Sequence, residues 1–153
     1  DLIHTIKYED HPELGERLSR LYAPEHLRAG HFADIGVAVP VPLTPSRLRR
    51  RGYNQSTYIA RGLTDILGIP LDETLLARRD SHGTQTHRGR ESRWESMKKA
   101  FYAPHPDLVS RRRVLIIDDV LTTGSTLTAC ALALMAAGAE SVSYYTLACG
   151  KMA

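Results

Sequence analysis

Apolar positions along this chain alternate between two rhythms, a stripe repeating every three or four residues and short unbroken runs. Leu14, Leu18, Leu21 and Tyr22 stand at i, i+4, i+7 and i+8, which predicts an amphipathic helix over about His11–Tyr22, with Pro24 helping to stop it. Ile35–Val41 is a short apolar run whose end is bracketed by Pro40 and Pro42, the pattern of a buried strand passing into a rigid loop. Ile59, Leu63, Ile66 and Leu67 repeat the helical stripe and predict a helix over Gln55–Leu67, capped by Gly68 with Pro70 just beyond. Leu71–Ala77 reads as a short strand. Val114–Ile117 is purely β-branched or leucine, as a strand buried on both faces should be. Leu127–Ala137 reads as a helix closed by Gly138, and Ser141–Leu147 as the last strand. The order αβαβ, loop, βαβ predicts an α/β domain with a mainly parallel sheet flanked by helices.

One stretch breaks these rhythms. Arg78–Lys99 is polar, holds two glycines and a single Trp, and is long for a connection; such loops are often functional or mobile. Its second half, Glu91–Ala100, has helical character. A chain of 153 residues is expected to form one domain, burying roughly 70% of its unfolded surface. No apolar run reaches the ~20 residues of a membrane span; the longest, Leu127–Ala139, is too short. No signal peptide is visible, and because the chain begins at Asp1 its true N-terminus is left open. Cys130 and Cys149 fit neither a redox nor a zinc spacing and are expected to be reduced thiols, which favours the cytoplasm.

Charge adds a preference for anions. The net charge is only +3, but the arginines are bunched: Arg47, Arg49, Arg50 and Arg51; Arg78 and Arg79; Arg88, Arg90 and Arg93; and Arg111, Arg112 and Arg113. Any single cluster is explained by a solvated surface, whereas four in one small domain favour at least one phosphate-type site.

The chemistry concentrates at Val114–Thr126. The buried strand runs into Asp118 and Asp119, at the strand end where open α/β sheets bind ligands. Adjacent carboxylates repel and resist desolvation unless a partner uses them; ribose hydroxyls can donate to them, and a Mg²⁺ shell can neutralise them. Thr122, Thr123, Gly124, Ser125 and Thr126 follow. The glycine permits close backbone approach, the hydroxyls donate, and the next helix offers unpaired N–H groups to an anion. The pair and the turn together fit one ribose 5-phosphate. A bare N-cap at Ser125 or Thr126 leaves the aspartates unexplained. A receiver-domain acidic pair would have most of its domain still to come, and a Walker loop needs a lysine after Gly124.

The stretch VLIIDDVLTTGST resembles the phosphoribosyl pyrophosphate (PRPP) motif of type I phosphoribosyltransferases. More narrowly, the chain resembles the ComF family of competence-associated proteins, which are linked to DNA uptake. Leu2-Ile3-His4 through Lys7-Tyr8, the VPVPL run Val39–Leu43, the RRRGYNQ run Arg49–Gln55, and Gln85-Thr86, Arg90 and Ala100-Phe101 carry that resemblance. It implies a type I phosphoribosyltransferase-like fold. Asp118, Asp119 and Arg90 would be catalytic. Asp118 and Asp119, with Thr122 through Thr126, would hold the ribose 5-phosphate, and the two aspartates would hold Mg²⁺ through water. The turn Val41, Pro42, Leu43, with Arg49 and Arg51, would bind pyrophosphate, the turn through backbone N–H groups. Arg78–Lys99 would close over PRPP and exclude water. Departures are the family's four-cysteine zinc module, absent from this chain, Ser96 where the family has asparagine, and Arg88 at an apolar position.

The implied reaction transfers phosphoribosyl from PRPP to a nitrogen acceptor, a nucleobase being one candidate, and releases pyrophosphate. The acceptor pocket has no legible signature and no general base stands out; His82 and His87 read as solvated loop residues, and Tyr53 and Trp94 as packing anchors. The alternative is a non-catalytic accessory protein binding PRPP, a nucleotide or single-stranded DNA, with a competence-machinery protein and a homodimer as further expected partners.

Overall fold

The computed structural model describes residues 11–80 and 90–150. In chain order these form α1 (Pro12–Arg28), β1 (Val37–Pro40), α2 (Pro45–Arg51), α3 (Gln55–Leu67), β2 (Ala77–Arg78), α4 (Arg90–Ala100), β3 (Phe101–Tyr102), α5 (Pro106–Val109), β4 (Arg113–Leu121), α6 (Ser125–Ala136) and β5 (Ser141–Cys149). The main sheet is parallel, with β4 between β1 and β5. Val37 pairs with Val114 and Pro40 with Ile117, while Arg113 pairs with Ser141. A two-stranded antiparallel ribbon joins β2 to β3. The α/β class with a mainly parallel sheet is therefore what the chain adopts.

Strand alternation sorts the core into two layers. Val37, Val39, Val41, Val114 and Ile116 face Leu127, Cys130 and Leu134 of α6 and the Phe101 side chain. Ala38, Leu115 and Ile117 face Ile59, Ala60 and Leu63 of α3 and Ala23 of α1. Val114–Ile117 is buried throughout, as its composition predicts. The helix Gln55–Leu67 has the expected bounds, and Gly68 caps it at φ 69, in the left-handed region that glycine enters without strain.

Helix α1 departs from the expectation in two ways. It runs through Pro24 to Arg28 rather than stopping near Tyr22. Proline forfeits one backbone hydrogen bond, but the last turn is held by packing: the His26 ring meets Tyr145 edge-on with centroids 5.4 Å apart, and Ala23 is fully buried. Moreover, the predicted apolar stripe is not the buried one. Leu21 is 68% exposed and Tyr22 49%, while Gly15, Ser19 and Ala23 are buried. These small residues at i, i+4 and i+8 let α1 lie close against α3, where a Cβ on Gly62 would stand 2.3 Å from the Glu16 carbonyl oxygen. The contact is flanked by Arg20, which bonds Asp65 on α3 and Glu16 on its own helix at 3.1 Å.

Other boundaries shift as well. The strand expected over Leu71–Ala77 shrinks to Ala77–Arg78, with one isolated parallel bridge from Leu71 to Ala38. The Asp72 side chain accepts from the Thr74 N–H and hydroxyl, a local turn that competes with extension. The long polar connection has regular ends, Arg78 in β2 and Arg90–Ala100 in α4, and Met97 of α4 packs on the core. Gln85, Thr86, His82, His87 and Arg88 lie outside the described residues. Cys130 is buried and Cys149 exposed, both as free thiols. Among the described residues no helix is long and apolar enough to cross a membrane.

Candidate functional site

Strand β4 continues through Asp118 and Asp119 to Leu121, so the aspartates lie within a strand rather than after it. Alternation from Val114 and Ile116 turns Asp118 toward α6 and β2. The N-terminus of α3 reaches it at the sheet end: Ser56 donates its hydroxyl to Asp118 Oδ1 at 3.0 Å, and the Asp119 N–H donates to the same oxygen at 2.9 Å. Asp119 Oδ1 accepts from the Val120 N–H at 2.7 Å. Burial, and then the charge of Asp119, push the Asp118 carboxyl up to about 6, against the pull of these two donors. The pair is thus a strained concentration of negative charge at the carboxyl end of a central strand.

The turn after β4 has the geometry of an anion cradle. Gly124 has φ 79 and is the N-cap of α6, with no side-chain cap bond. The simple N-cap role for Ser125 or Thr126 is therefore not what the structure shows. Thr123 Oγ1 lies 3.0 Å from Ser125 Oγ and accepts the Ser125 N–H at 3.4 Å. Thr128 folds back to the Gly124 carbonyl, donating its hydroxyl at 2.9 Å. The N–H groups of Thr126 and Leu127 have no acceptor among the described residues, so the first turn of α6 offers donors together with its dipole. Thr122 and Thr123 are exposed at the mouth. The end of β5 steadies the turn, the Gly150 N–H donating to Leu121 O at 2.7 Å.

Of the backbone donors expected from the turn of Val41, Pro42 and Leu43, two are not open. The Val41 N–H is already spent on Ile117 O at 2.9 Å and its side chain is buried, while Pro42 has no N–H. Of the three residues only Leu43 keeps a backbone donor. Asn54 pins the turn, donating its amide to Val41 O at 3.0 Å while its oxygen accepts the Ser56 N–H. Arg51 stacks over the Tyr53 ring at 5.1 Å, and the Arg49 charge adds to the Ser46 hydrogen bonds that hold Asp80 below the usual carboxylate range.

Another cation lies near Asp118. Arg78, at the end of β2, is half-buried and lies over the Phe101 ring at 5.1 Å. Burial and the neighbouring Arg47 guanidinium hold it below the usual arginine range, and the Asp118 charge opposes that. Its guanidinium makes no hydrogen bond or ion pair with another described residue. The Arg47 and Arg78 charges thus repel each other near Asp118, and an anion there would relieve the repulsion. Three other arginines hold parts of the fold together: Arg113 bridges Asp34 and Glu140 at 3.0 Å each, Arg112 donates to Gly36 O, and Arg79 donates to Lys99 O while lying 4.0 Å over the Tyr102 ring. Arg90 is the first residue of α4, and the role expected of its side chain falls outside what the structure describes. Burial pushes the Cys130 thiol far above its ordinary value, which removes it as a nucleophile.

Residues 53–153 match the phosphoribosyl transferase domain family. The chain belongs to that family. It is 34% identical over 149 residues to the DNA utilization protein YhgH of Salmonella typhi, covering 95% of this chain and 65% of that protein. It is 32% identical over 151 residues to Competence protein F of Haemophilus influenzae, covering 96% of this chain and 66% of that one. The chain therefore spans about two-thirds of the length of these curated relatives. In fold it is similar to the glutamine PRPP amidotransferase of B. subtilis solved with ADP and GMP, at TM-score 0.61 and 20% identity, over 88% of this chain and 26% of that one. The expected ComF-type, type I phosphoribosyltransferase-like fold is borne out.

Proposed function

We infer that the chain is a single phosphoribosyltransferase-like domain that binds PRPP and transfers its phosphoribosyl group to a nitrogen acceptor, releasing pyrophosphate, in the cytoplasm of a cell that handles DNA as the named relatives do. The observation that carries this reading is Asp118, a partly buried carboxylate raised to about 6, followed in the chain by the open N–H donors of α6 and within reach of the Arg78 charge. Ribose hydroxyls donating to Asp118 and Asp119 relieve the excess negative charge. The Thr122–Thr126 turn holds the 5′-phosphate through the N–H groups of Thr126 and Leu127 and the hydroxyls at its mouth. Leu43 N–H, Arg47 and Arg78 face the pyrophosphate. As the C1′–O bond breaks and the nitrogen–C1′ bond forms, negative charge grows on the leaving pyrophosphate, and fixed donors there lower the barrier. The donor set also fits a hard dication, since Asp118 carries uncompensated charge that burial amplifies. Asp118 and Asp119 would hold Mg²⁺ through water, and the ion would supply further neutralisation of the pyrophosphate.

Calorimetry with PRPP, with and without Mg²⁺, tests the reading, repeated on the Asp118→Asn/Asp119→Asn double variant. Binding that requires both aspartates is expected, and a wild-type chain that does not bind PRPP overturns it. Pyrophosphate release across purine, pyrimidine and pyridine acceptors separates transfer from the second reading, a non-catalytic PRPP-, nucleotide- or single-stranded-DNA-binding accessory protein, which the relatives' names favour.

The Arg78 assignment has its own outcome. Arg78→Ala is expected to weaken PRPP about 10- to 100-fold, the loss of a charged hydrogen-bonding partner worth roughly 1.5–3 kcal/mol. Arg78→Lys should recover part of it, and Arg49→Ala should change affinity less than about threefold. Equal effects at Arg49 and Arg78 would overturn the assignment of pyrophosphate to Arg78.

A further inference from the structure

A second concavity lies behind the pyrophosphate turn. Val37, Val39 and Val41 point toward α6, so Pro40 and Pro42 point the other way, toward α3. There they line a pocket of about 360 Å³ together with Thr57, Tyr58 and Arg61 of α3 and with Tyr53 and Glu73. Asp118 and Arg78 lie on the α6 side of the sheet. The two sites share the turn between them, since Pro42 and Leu43 also line this pocket, but Asp118 and Arg78 do not.

The lining has a specific chemistry. Tyr53 and Tyr58 meet edge to face with centroids 6.1 Å apart, and each ring carries a guanidinium on one face, Arg51 on Tyr53 and Arg61 on Tyr58, both at 5.1 Å. Tyr53, Tyr58 and Arg61 thus bring ring and guanidinium planes to the pocket wall, groups that can take a flat heterocycle. Glu73 is the acceptor of the pocket: one oxygen takes the Thr57 hydroxyl at 2.6 Å, and the other lies 4.0 Å from Arg61. A carboxylate is acceptor-only and offers about four lone-pair positions, so Glu73 retains capacity for N–H donors. The arginine-rich helix α2 borders the rim through Leu48 and supplies positive charge for a phosphate.

We propose that this pocket binds the base of a nucleotide, stacked against Tyr58 and Arg61, and that Glu73 selects bases that present adjacent N–H donors. Guanine offers two such donors on one edge. Uracil offers a single N–H flanked by carbonyl oxygens that a carboxylate repels. The ligand is then a nucleotide bound in addition to PRPP, carried either as a free mononucleotide or within a single strand.

Titration of the full chain with GMP and with UMP, followed by calorimetry in the presence and absence of saturating PRPP and Mg²⁺, tests this. GMP is expected to bind at least about tenfold more tightly than UMP and to persist when PRPP is saturating. Tyr58→Ala should weaken GMP at least about tenfold, the usual scale of one stacked base. Glu73→Gln, at a half-exposed carboxylate whose amide replacement can still accept the Thr57 hydroxyl, should remove the preference for GMP over UMP. A guanine tetranucleotide distinguishes the source: tighter binding than GMP with a steep salt dependence assigns the base to a strand, and equal binding assigns it to a free nucleotide. Competition between GMP and PRPP, equal affinity for GMP and UMP, or indifference to both variants overturns the proposal. The Asp118→Asn/Asp119→Asn variant keeps this test separate from the PRPP reading, since GMP binding should survive in it unchanged.

Discussion

Asp118→Asn is expected to stabilise the ligand-free protein at pH 8 by about 2–3 kcal/mol while removing PRPP binding. The folded-state pKa of Asp118 is raised from its ordinary 3.8 to about 6. A carboxyl raised on folding contributes its full stability below pH 3.8, where it is protonated in both states. That stability is lost as pH climbs toward 6, because the unfolded chain ionises first. Every tenfold difference in proton affinity between the folded and unfolded chain is worth about 1.4 kcal/mol, which sets the size of the gain. Asparagine keeps the shape, still accepts from Ser56 and the Asp119 N–H through its oxygen, and never ionises. Thermal melts of wild type and variant should therefore diverge between pH 4 and pH 6 and run parallel above it, with the variant higher by roughly 5–10 °C at pH 8. PRPP with Mg²⁺ should reverse the order, because only the wild type gains from ligand. A wild type more stable than Asp118→Asn at pH 8 without ligand would mean that the carboxylate is already compensated within the fold, and the case for a cation and a ribose diol at this position would lose its physical basis.

The strain at Asp118 also explains why the centre of this site is legible in sequence when its edges are not. Val114–Ile117 must be buried on both faces, so whatever follows it lies at a strand end, and two carboxylates there have few uses. The same local logic gives Gln55–Leu67 with its Gly68 cap, because the apolar stripe and the left-handed glycine lie within a few residues of what they determine. Asn54 and Ser56 look like ordinary residues at a helix start, yet Ser56 bonds Asp118 from 62 positions away. Arg78 sits in a dipeptide of arginines whose members part company only because β2 pairs with β3: one lies over Phe101 beside Asp118 and the other over Tyr102. The Val41–Leu43 turn reads locally as a source of backbone donors, but a parallel strand's own register consumes the Val41 N–H, and register across a crossover is not a local property. In α1 the large apolar residues suggest the buried face, although contact with another helix is closest where side chains are smallest. Gly15, Ser19 and Ala23 are the signal for that face, at a spacing the leucines obscure.

That helix contact yields the other large effect. Gly62→Ala should destabilise the fold by about 2 kcal/mol, although alanine is the better helix former. Propensity alone favours alanine over glycine in a helix interior by roughly 1 kcal/mol. At position 62, however, the added Cβ would meet the Glu16 carbonyl oxygen at 2.3 Å and the Ser19 Cβ at 2.9 Å. The first of these is backbone of α1 and cannot rotate away, so the helices must separate. Overpacking of a close contact costs on the order of 1–3 kcal/mol, and more where backbone has to move. Gly62→Leu should exceed it. Gly36→Ala is the matched control: its Cβ would find the Arg113 carbonyl oxygen at an ordinary 3.6 Å, so its effect should stay within about 0.5 kcal/mol. Urea unfolding of the three variants reads the difference, and a Gly62→Ala protein as stable as wild type would mean that the two helices do not approach this closely. The consequence reaches the ligand site, because α3 carries Asn54 and Ser56 at its N-terminus. Moving α3 away from α1 shifts the donor to Asp118 and the pin on the Val41–Leu43 turn together. The surviving folded fraction of Gly62→Ala should therefore also bind PRPP more weakly, whereas Gly36→Ala should not.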